Sequence, residues 1–190
     1  MPYLMYLHGF NSSERSYKSS CIYDRLDNLG LSDYYLMPRL SWEPSQAIGQ
    51  ASTLIEQHLS DGITLIGSSL GGFYAAYLAE KYDINAVLVN PAIAAHELLV
   101  DYLGEQVNPY TDEKYCLTAE HIIQLERLDS ANGSEYRYWL MLQEGDEVLD
   151  YRKALKKFPT ARLTLEASGD HSFVNFERHI DNILSFSNLL

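Results

Sequence analysis

The sequence has few cysteines, few basic residues and no long apolar run, and each shortage narrows what the protein can be. Cys21 and Cys116 are the two cysteines among 190 residues, too few for a disulfide framework or a cysteine-rich zinc site. No apolar run approaches the roughly 18 residues that a membrane-spanning helix requires. The opening residues, MPYLMYLHGF, lack the pattern of a secretory signal. These absences predict a cytoplasmic protein with no membrane span and no metal.

The charge balance is strongly acidic, with 14 Lys and Arg against 26 Asp and Glu, which gives a net charge of −12. An acidic surface repels phosphate backbones at long range, so we do not expect nucleic-acid binding. Hydrophobic residues make up 46% of the chain and charged residues 21%, which is ordinary for a globular protein. At this length we expect a single domain over residues 1–190 that needs no disulfide or metal to hold its core.

Short apolar runs alternate with amphipathic stretches along most of the chain. We predict strands at Tyr3–Leu7, Tyr34–Met37, Ile63–Ile66, Asn85–Val89, Tyr138–Leu142 and Ala161–Leu165. We predict helices over 16–29, 44–59, 70–82, 118–128 and 174–187. Strands that are apolar throughout are typical of a parallel sheet covered on both faces. The pattern therefore predicts a three-layer α/β fold with about six mainly parallel strands.

Residues 92–134 break this alternation. We find no clear strand there, only the helix over 118–128, and we predict a small helical insertion that forms a pocket wall or a small cap. Its large side chains include Tyr102, Tyr110 and Tyr115. Ordinary core packing is an equally good interpretation of each tyrosine.

The segment Gly67-Ser68-Ser69-Leu70-Gly71 matches G-x-S-x-G, the pattern of a nucleophile elbow. Such a serine lies at the tip of a strained strand-to-helix turn, and the residues two before and two after it must be small. The context fits, because the apolar run ITLI precedes the motif and an amphipathic helix follows it. The alternative is a glycine-rich turn, but no lysine follows as a phosphate-binding loop requires. We predict that Ser69 is a nucleophile.

A serine hydroxyl needs a base, and the base needs a carboxylate that orients it. His171 follows the sixth predicted strand, and Asp146 follows the fifth. The order Ser69, Asp146, His171 is the order expected of an α/β-hydrolase. Four other carboxylates compete for the acid role, namely Glu144, Glu147, Asp150 and Asp170. Asp146 is preferred because of its position at the strand end, whereas Asp150 looks like the N-cap of the next helix.

Acyl transfer also needs two donors for the oxyanion. We predict the backbone N–H of Leu70, directly after the nucleophile, and that of Phe10, in the loop after the first strand. Gly9 lets this loop approach closely, and His8 braces it by hydrogen bonds. A simple strand-end turn is the alternative interpretation of this loop.

Beyond the elbow, motifs along the whole chain resemble those of the YqiA-like (YqiA/YcfP-type) bacterial esterases, which are small α/β-hydrolases. The motifs are YLHGFNSS (6–13), IGSSLGGFYA (66–75), VLVNPA (87–92), LLVDYLG (98–104), NPYT (108–111), GDEVLDYR (145–152) and DHSF (170–173). The resemblance implies the α/β-hydrolase sheet without its first two antiparallel strands. It implies a carboxyl-ester hydrolase whose activity could extend to acyl-CoA thioesters, with Ser69 as nucleophile, Asp146 as acid and His171 as base.

We therefore expect a serine esterase that acts on a small acyl ester or thioester and needs no cofactor. The predicted substrate pocket includes Phe10, Tyr102, Tyr110 and Phe173. Alternatives are other chemistry on the same fold, such as an amidase, lactonase or perhydrolase, or a binding protein without activity. The natural substrate, the acyl-chain length and the oligomeric state are left open by the sequence.

Overall fold

The computed structural model describes residues 1–129 and 137–190, and these residues form eight β-strands and seven α-helices. The strands are β1 (Tyr3–Leu7), β2 (Tyr35–Leu36), β3 (Ile63–Ser69), β4 (Asn85–Pro91), β5 (Gly104–Val107), β6 (Lys114–Leu117), β7 (Tyr138–Gln143) and β8 (Arg162–Glu166). The helices are α1 (Tyr17–Asn28), α2 (Pro44–His58), α3 (Leu70–Tyr82), α4 (Ala95–Leu99), α5 (Ala119–Leu128), α6 (Tyr151–Lys157) and α7 (Ile180–Phe186). Within this part of the chain, no helix is both long and apolar enough to cross a lipid bilayer.

Six of the strands form one parallel sheet in the order β2-β1-β3-β4-β7-β8. Successive side chains of a strand enter opposite faces of the sheet. Met5 and Leu7 pack with side chains of α2 and α3, whereas Leu4 and Tyr6 pack with side chains of α1 and α7. Both faces are buried over β1, β3, β4 and β7, so these strands are largely apolar, whereas the edge strand β8 is mostly exposed. The predicted three-layer architecture with about six parallel strands is confirmed.

The parallel arrangement brings the carboxyl ends of the strands to one edge of the sheet. The loops that follow these ends meet there, which is where open α/β sheets bind ligands. They carry Gly9 after β1, Asp146 after β7 and His171 after β8, while Ser69 is the last residue of β3 and Asn90 the next-to-last residue of β4.

The segment between β4 and β7 differs from the strandless excursion predicted over 92–134. β5 and β6 pair antiparallel as a hairpin between α4 and α5. In β6, exposed side chains alternate with the buried side chains of Tyr115 and Leu117. Four residues are too few for this alternation to be distinguished from a loop by pattern alone. The helix predicted over 118–128 is confirmed as α5, and residues 130–134 lie outside the described residues.

The hairpin is anchored on the loop that follows β1. The Tyr115 hydroxyl donates to Asn11 Oδ1 at 2.6 Å, and Asn108 Nδ2 donates to the Ser12 carbonyl at 2.8 Å. The Tyr115 ring also stacks on Trp42, with ring centroids 4.7 Å apart. These contacts fix the insertion beside the edge of the sheet where the strand-end loops meet.

Candidate active site

Ser69 occupies the sharp turn between β3 and α3. Its backbone angles are φ +56° and ψ −121°, a strained conformation for a residue with a side chain. The turn is also crowded, because a Cβ added to Gly67 would lie 2.1 Å from the Gly71 carbonyl oxygen. One added to Gly71 would lie 1.9 Å from the Leu7 carbonyl oxygen. Glycine is therefore required at both positions, as the G-x-S-x-G spacing predicts.

A hydrogen-bonded chain links the three residues predicted to form the triad. Ser69 Oγ lies 3.1 Å from His171 Nε2. His171 Nδ1 lies 2.9 Å from Asp146 Oδ2 and 3.0 Å from its Oδ1. Because Nδ1 faces a carboxylate, the proton of the neutral imidazole belongs on Nδ1, and Nε2 is free to accept from the serine hydroxyl.

The Asp146 carboxylate is held in place by its surroundings. Its side chain is 2% exposed, and Oδ1 also accepts from the backbone N–H groups of Val148 at 2.9 Å and Leu149 at 2.8 Å. Burial on its own raises the pKa of this carboxyl. The hydrogen bonds from His171 and the two backbone groups outweigh burial, so the pKa of Asp146 is lowered. Asp146 is therefore ionised at neutral pH and can stabilise an imidazolium.

The four rival carboxylates all have partners other than the His171 ring. Those partners are the Tyr151 hydroxyl for Glu144, the His171 backbone N–H for Glu147, the Arg152 backbone N–H for Asp150 and the Ser172 backbone N–H for Asp170. Asp150 caps α6 as the sequence predicts. Within residues 1–129 and 137–190, no three His, Cys, Asp or Glu side chains are grouped as metal ligands would be.

The loop after β1 runs directly against Ser69. A Cβ added to Gly9 would lie 3.3 Å from Ser69 Cβ and 3.8 Å from its Oγ. His8 fixes this loop, since its Nδ1 donates to the Gly9 carbonyl at 3.0 Å and its Nε2 accepts from the Leu40 backbone N–H at 3.0 Å. Burial lowers the pKa of His8, which keeps the ring neutral. His8 is therefore a structural brace, as predicted.

The two residues predicted to donate to the oxyanion flank this contact. Leu70 is the first residue of α3, where backbone N–H groups have no acceptor within the helix. Phe10 follows Gly9 in the loop after β1. Their backbone N–H groups therefore come from the two segments that meet at Ser69.

Two clefts meet at Ser69, and both are also lined by Phe10 and His171. The first, which we call the apolar cleft, has a volume of about 390 Å³. Its other lining residues include Ala92, Ala95, Leu98, Leu99, Tyr102 and Val148. The second, which we call the polar cleft, has a volume of about 450 Å³. The name refers to the amide, hydroxyl and ammonium groups of Asn11, Ser12, Ser16, Lys18 and Ser172, but the rings of Tyr6, Tyr17 and Tyr110 also line this cleft, so much of its surface is apolar as well.

Three of the four predicted pocket side chains line a cleft, namely Phe10, Tyr102 and Tyr110. The prediction for Phe173 is wrong, because this residue lines neither cleft. Its side chain is 1% exposed and lies in the core, with its ring edge-on to Phe176 and His179. The backbone at Phe173 has φ +61°, so the chain turns sharply there. The closeness of Phe173 to His171 in the sequence does not reveal the direction of this turn.

Two buried polar residues that sequence reasoning missed hold the His171 loop. Asn90 Nδ2 donates to the carbonyls of Asp170 at 3.0 Å and His171 at 3.3 Å. Gln143 Oε1 accepts from the backbone N–H groups of Asp170 at 3.1 Å and Val174 at 2.9 Å. Both lie at the ends of apolar strands and are 2% exposed. A polar residue near the end of a buried apolar strand is the signal that could have found them.

Solved structures of similar fold cover nearly the whole chain. Alpha/beta hydrolase domain-containing protein 10 from mouse has a TM-score of 0.71 at 14% identity, covering 96% of this chain and 89% of that one. The esterase domain of a Rhodothermus marinus protein has a TM-score of 0.68 at 17% identity, covering 98% and 86%. Est1E from Butyrivibrio proteoclasticus, with bound ferulic acid, has a TM-score of 0.69 at 11% identity, covering 100% and 90%. The predicted α/β-hydrolase fold is confirmed.

A family model also matches the sequence itself. It is described as an uncharacterised protein family, UPF0227, and it matches residues 3–188. That range contains every motif on which the resemblance to the YqiA-like proteins depends. The chain therefore belongs to the UPF0227 (YqiA) family and has the α/β-hydrolase fold.

Proposed function

We propose that the protein is a serine esterase that hydrolyses carboxylic esters, with acyl-CoA thioesters as a further substrate class. The observation that carries this proposal is the hydrogen-bonded chain from Ser69 Oγ through His171 to Asp146, at the point where two clefts meet. A hydroxyl is a weak nucleophile near neutral pH unless a base accepts its proton, and this chain supplies that base. The esterase domain from Rhodothermus marinus has the same fold, which supports hydrolysis without selecting a substrate.

Acylation begins when Ser69 Oγ attacks the ester carbonyl carbon. His171 Nε2 takes the hydroxyl proton as the new C–O bond forms, and the Asp146 carboxylate stabilises the imidazolium. The carbonyl oxygen becomes an oxyanion, which accepts hydrogen bonds from the backbone N–H groups of Phe10 and Leu70. Collapse of the tetrahedral intermediate breaks the bond to the alcohol or thiol, which leaves with the proton from His171.

Deacylation repeats the same steps with water. His171 takes a proton from the water as its oxygen attacks the acyl carbon of the ester on Ser69. The second tetrahedral intermediate releases the carboxylic acid, and the proton on His171 returns to Ser69 Oγ. The enzyme is thereby regenerated, and one ester and one water have become one carboxylic acid and one alcohol or thiol.

The test is covalent labelling by a fluorophosphonate, which reacts only with an activated serine. We expect the intact mass of the wild-type protein to increase by one adduct and that of Ser69→Ala to remain unchanged. Ser68→Ala is the matched control, since it removes the neighbouring hydroxyl of the motif and should still be labelled. We also expect Ser69→Ala to lower kcat for a short-chain aryl ester by at least about 10³-fold.

Two results would contradict the proposal. Folded wild-type protein that forms no adduct and hydrolyses no ester would argue for a binding protein. Labelling that persists in Ser69→Ala and disappears in Ser68→Ala would mean that the nucleophile is the other serine.

A further inference from the structure

Lys18 brings a positive charge into the polar cleft. It lies in the first turn of α1, is partly buried, and donates from Nζ to the Ser172 carbonyl at 2.7 Å. An ammonium group has three N–H donors, so two remain for another partner. In the part of the chain that the structure describes, no carboxylate forms an ion pair with Lys18.

This position is an unfavourable one for an unused lysine. A cation in the first turn of a helix opposes the helix dipole. Burial lowers the pKa of Lys18 to about 8, although the nearby carboxylates of Asp170 and Asp146 act in the opposite direction. Both carboxylates have other partners, since Asp146 binds His171 and Asp170 binds Ser172. At neutral pH Lys18 is therefore mainly a cation whose charge an incoming anion would stabilise.

The two clefts can hold the two halves of one ester. The carbonyl carbon that Ser69 attacks carries an acyl chain and a leaving group, and these two substituents diverge from it. An acyl chain gains free energy from burial against Leu98, Leu99 and their apolar neighbours. The leaving group then lies in the polar cleft, where His171 can protonate it as it departs. Asp101 lines the apolar cleft and Lys18 lines the polar cleft, so the charged side chains that distinguish the two clefts have opposite signs.

We propose that the polar cleft binds the leaving-group half of the substrate, and that Lys18 selects esters whose alcohol or thiol carries an anionic group, a carboxylate or a phosphate. This inference rests on the proposed ester hydrolysis and names the substrate class for the same site. Lys18 is then a specificity-determining residue. Its hydrogen bond to Ser172 also links the bound anion to the loop that carries His171.

The test uses butyrate esters of three phenols that differ only in the para substituent, which is a carboxylate, a carboxamide or a trimethylammonium group. We expect Lys18→Met to lower the ratio of kcat/KM for the carboxylate ester to that for the carboxamide ester by about tenfold. The same substitution should raise the ratio of the trimethylammonium ester to the carboxamide ester. The ratio of two esters within one protein cancels any general loss of activity. Comparing that ratio between variant and wild type cancels the intrinsic reactivity of each ester.

Two further variants complete the design. Lys18→Arg keeps the charge and should retain most of the preference for the anionic ester. Lys156→Met removes the same charge from an exposed position that lines neither cleft, and it should leave the ratios unchanged. A para-phosphonate ester then shows whether the cleft prefers a phosphate-like dianion to a carboxylate.

The possible outcomes separate this inference from the proposed function. An equal loss for all three esters in Lys18→Met would mean that Lys18 only supports the His171 loop, and selectivity would be refuted while esterase activity stands. If the 4-nitrophenyl monoester of glutarate, which carries its anion on the acyl half, depends on Lys18 as strongly, the assignment of the halves is refuted. If wild-type protein hydrolyses none of the esters and forms no fluorophosphonate adduct, the proposed function fails and this inference with it.

Discussion

The two clefts beside Ser69 differ in the parts of the chain that build them as well as in chemistry. The apolar cleft is formed mainly by α4 and by the segments that follow β4 and β7. The polar cleft is formed by the loop after β1, the first turn of α1 and the tip of the β5–β6 hairpin. Ser69, His171 and Phe10 are the lining residues that the two clefts share. In our proposal, the edge of the sheet therefore supplies the chemistry, and the surrounding segments select the substrate.

Two of the shared residues, Ser69 and His171, are firmly held. Ser69 is fixed by the crowded turn at the end of β3, and the His171 loop is tied to Asn90 and Gln143 on the buried strands. Among the residues that line a single cleft, Tyr110 of the polar cleft and Tyr102 of the apolar cleft are exposed, at 65% and 46%. Substitutions at the shared residues should lower activity toward every substrate. Substitutions in one cleft should change only the preference for the half of the ester that binds there.

The largest expected effect comes from a substitution that should lower kcat equally for every ester, whichever cleft its halves occupy. Asp146→Asn removes the charge that stabilises the imidazolium and permits the wrong tautomer of His171. We expect kcat to fall by about 10³- to 10⁴-fold, equally for esters with apolar and with anionic leaving groups. Steady-state kinetics on the aryl butyrates measure this, with Asp150→Asn as the control because Asp150 caps α6. A loss that depended on the leaving group would contradict a shared role for Asp146.

A smaller effect should be confined to the apolar cleft. In wild-type protein we expect kcat/KM for 4-nitrophenyl esters to rise by about threefold for each CH₂ from acetate to hexanoate, as burial of apolar surface predicts. Leu98→Gln should flatten this rise and leave the preference for anionic leaving groups intact. Leu103→Gln is the matched control, since Leu103 is 45% exposed and lines neither cleft. The same rise in both variants would mean that the acyl chain does not lie along Leu98.

The shared residues were also the easier ones to predict from the sequence. Buried parallel strands are apolar throughout, so β3 and β7 stand out, and their carboxyl ends must share one edge of the sheet. That geometry is why Ser69 and His171, 102 residues apart, could be paired from their positions at strand ends. Asn90 and Gln143 could have been added by the same rule, since both are polar residues near the ends of such strands.

The clefts themselves depend on contacts that no local pattern records. The strands of the β5–β6 hairpin have four residues each, too short for a periodic signal, and Phe173 turns inward through one residue with positive φ. Lys18 has the sequence context of an ordinary surface residue on an amphipathic helix. It becomes part of a cleft because α1 packs beside the His171 loop, 154 residues away at Ser172. Long-range packing of this kind cannot be derived from residue types alone.

The smallest expected effect concerns the free energy of unfolding, which the buried charge of Lys18 lowers. Its folded-state pKa of about 8 lies below the ordinary 10.5, so between these values the unfolded chain binds more protons than the folded one. The contribution of Lys18 to the free energy of unfolding therefore rises with pH through that window, and below it the buried charge is fully destabilising. We expect the difference in unfolding free energy, wild type minus Lys18→Met, to rise by about 1 kcal/mol between pH 7.5 and 10, a value reduced because Lys18 remains partly exposed. Urea unfolding over a pH series measures it, with Lys156→Met as the control. If this difference does not change with pH, Lys18 is fully hydrated. A hydrated ammonium group would gain little from an incoming anion, which would contradict the role proposed for Lys18.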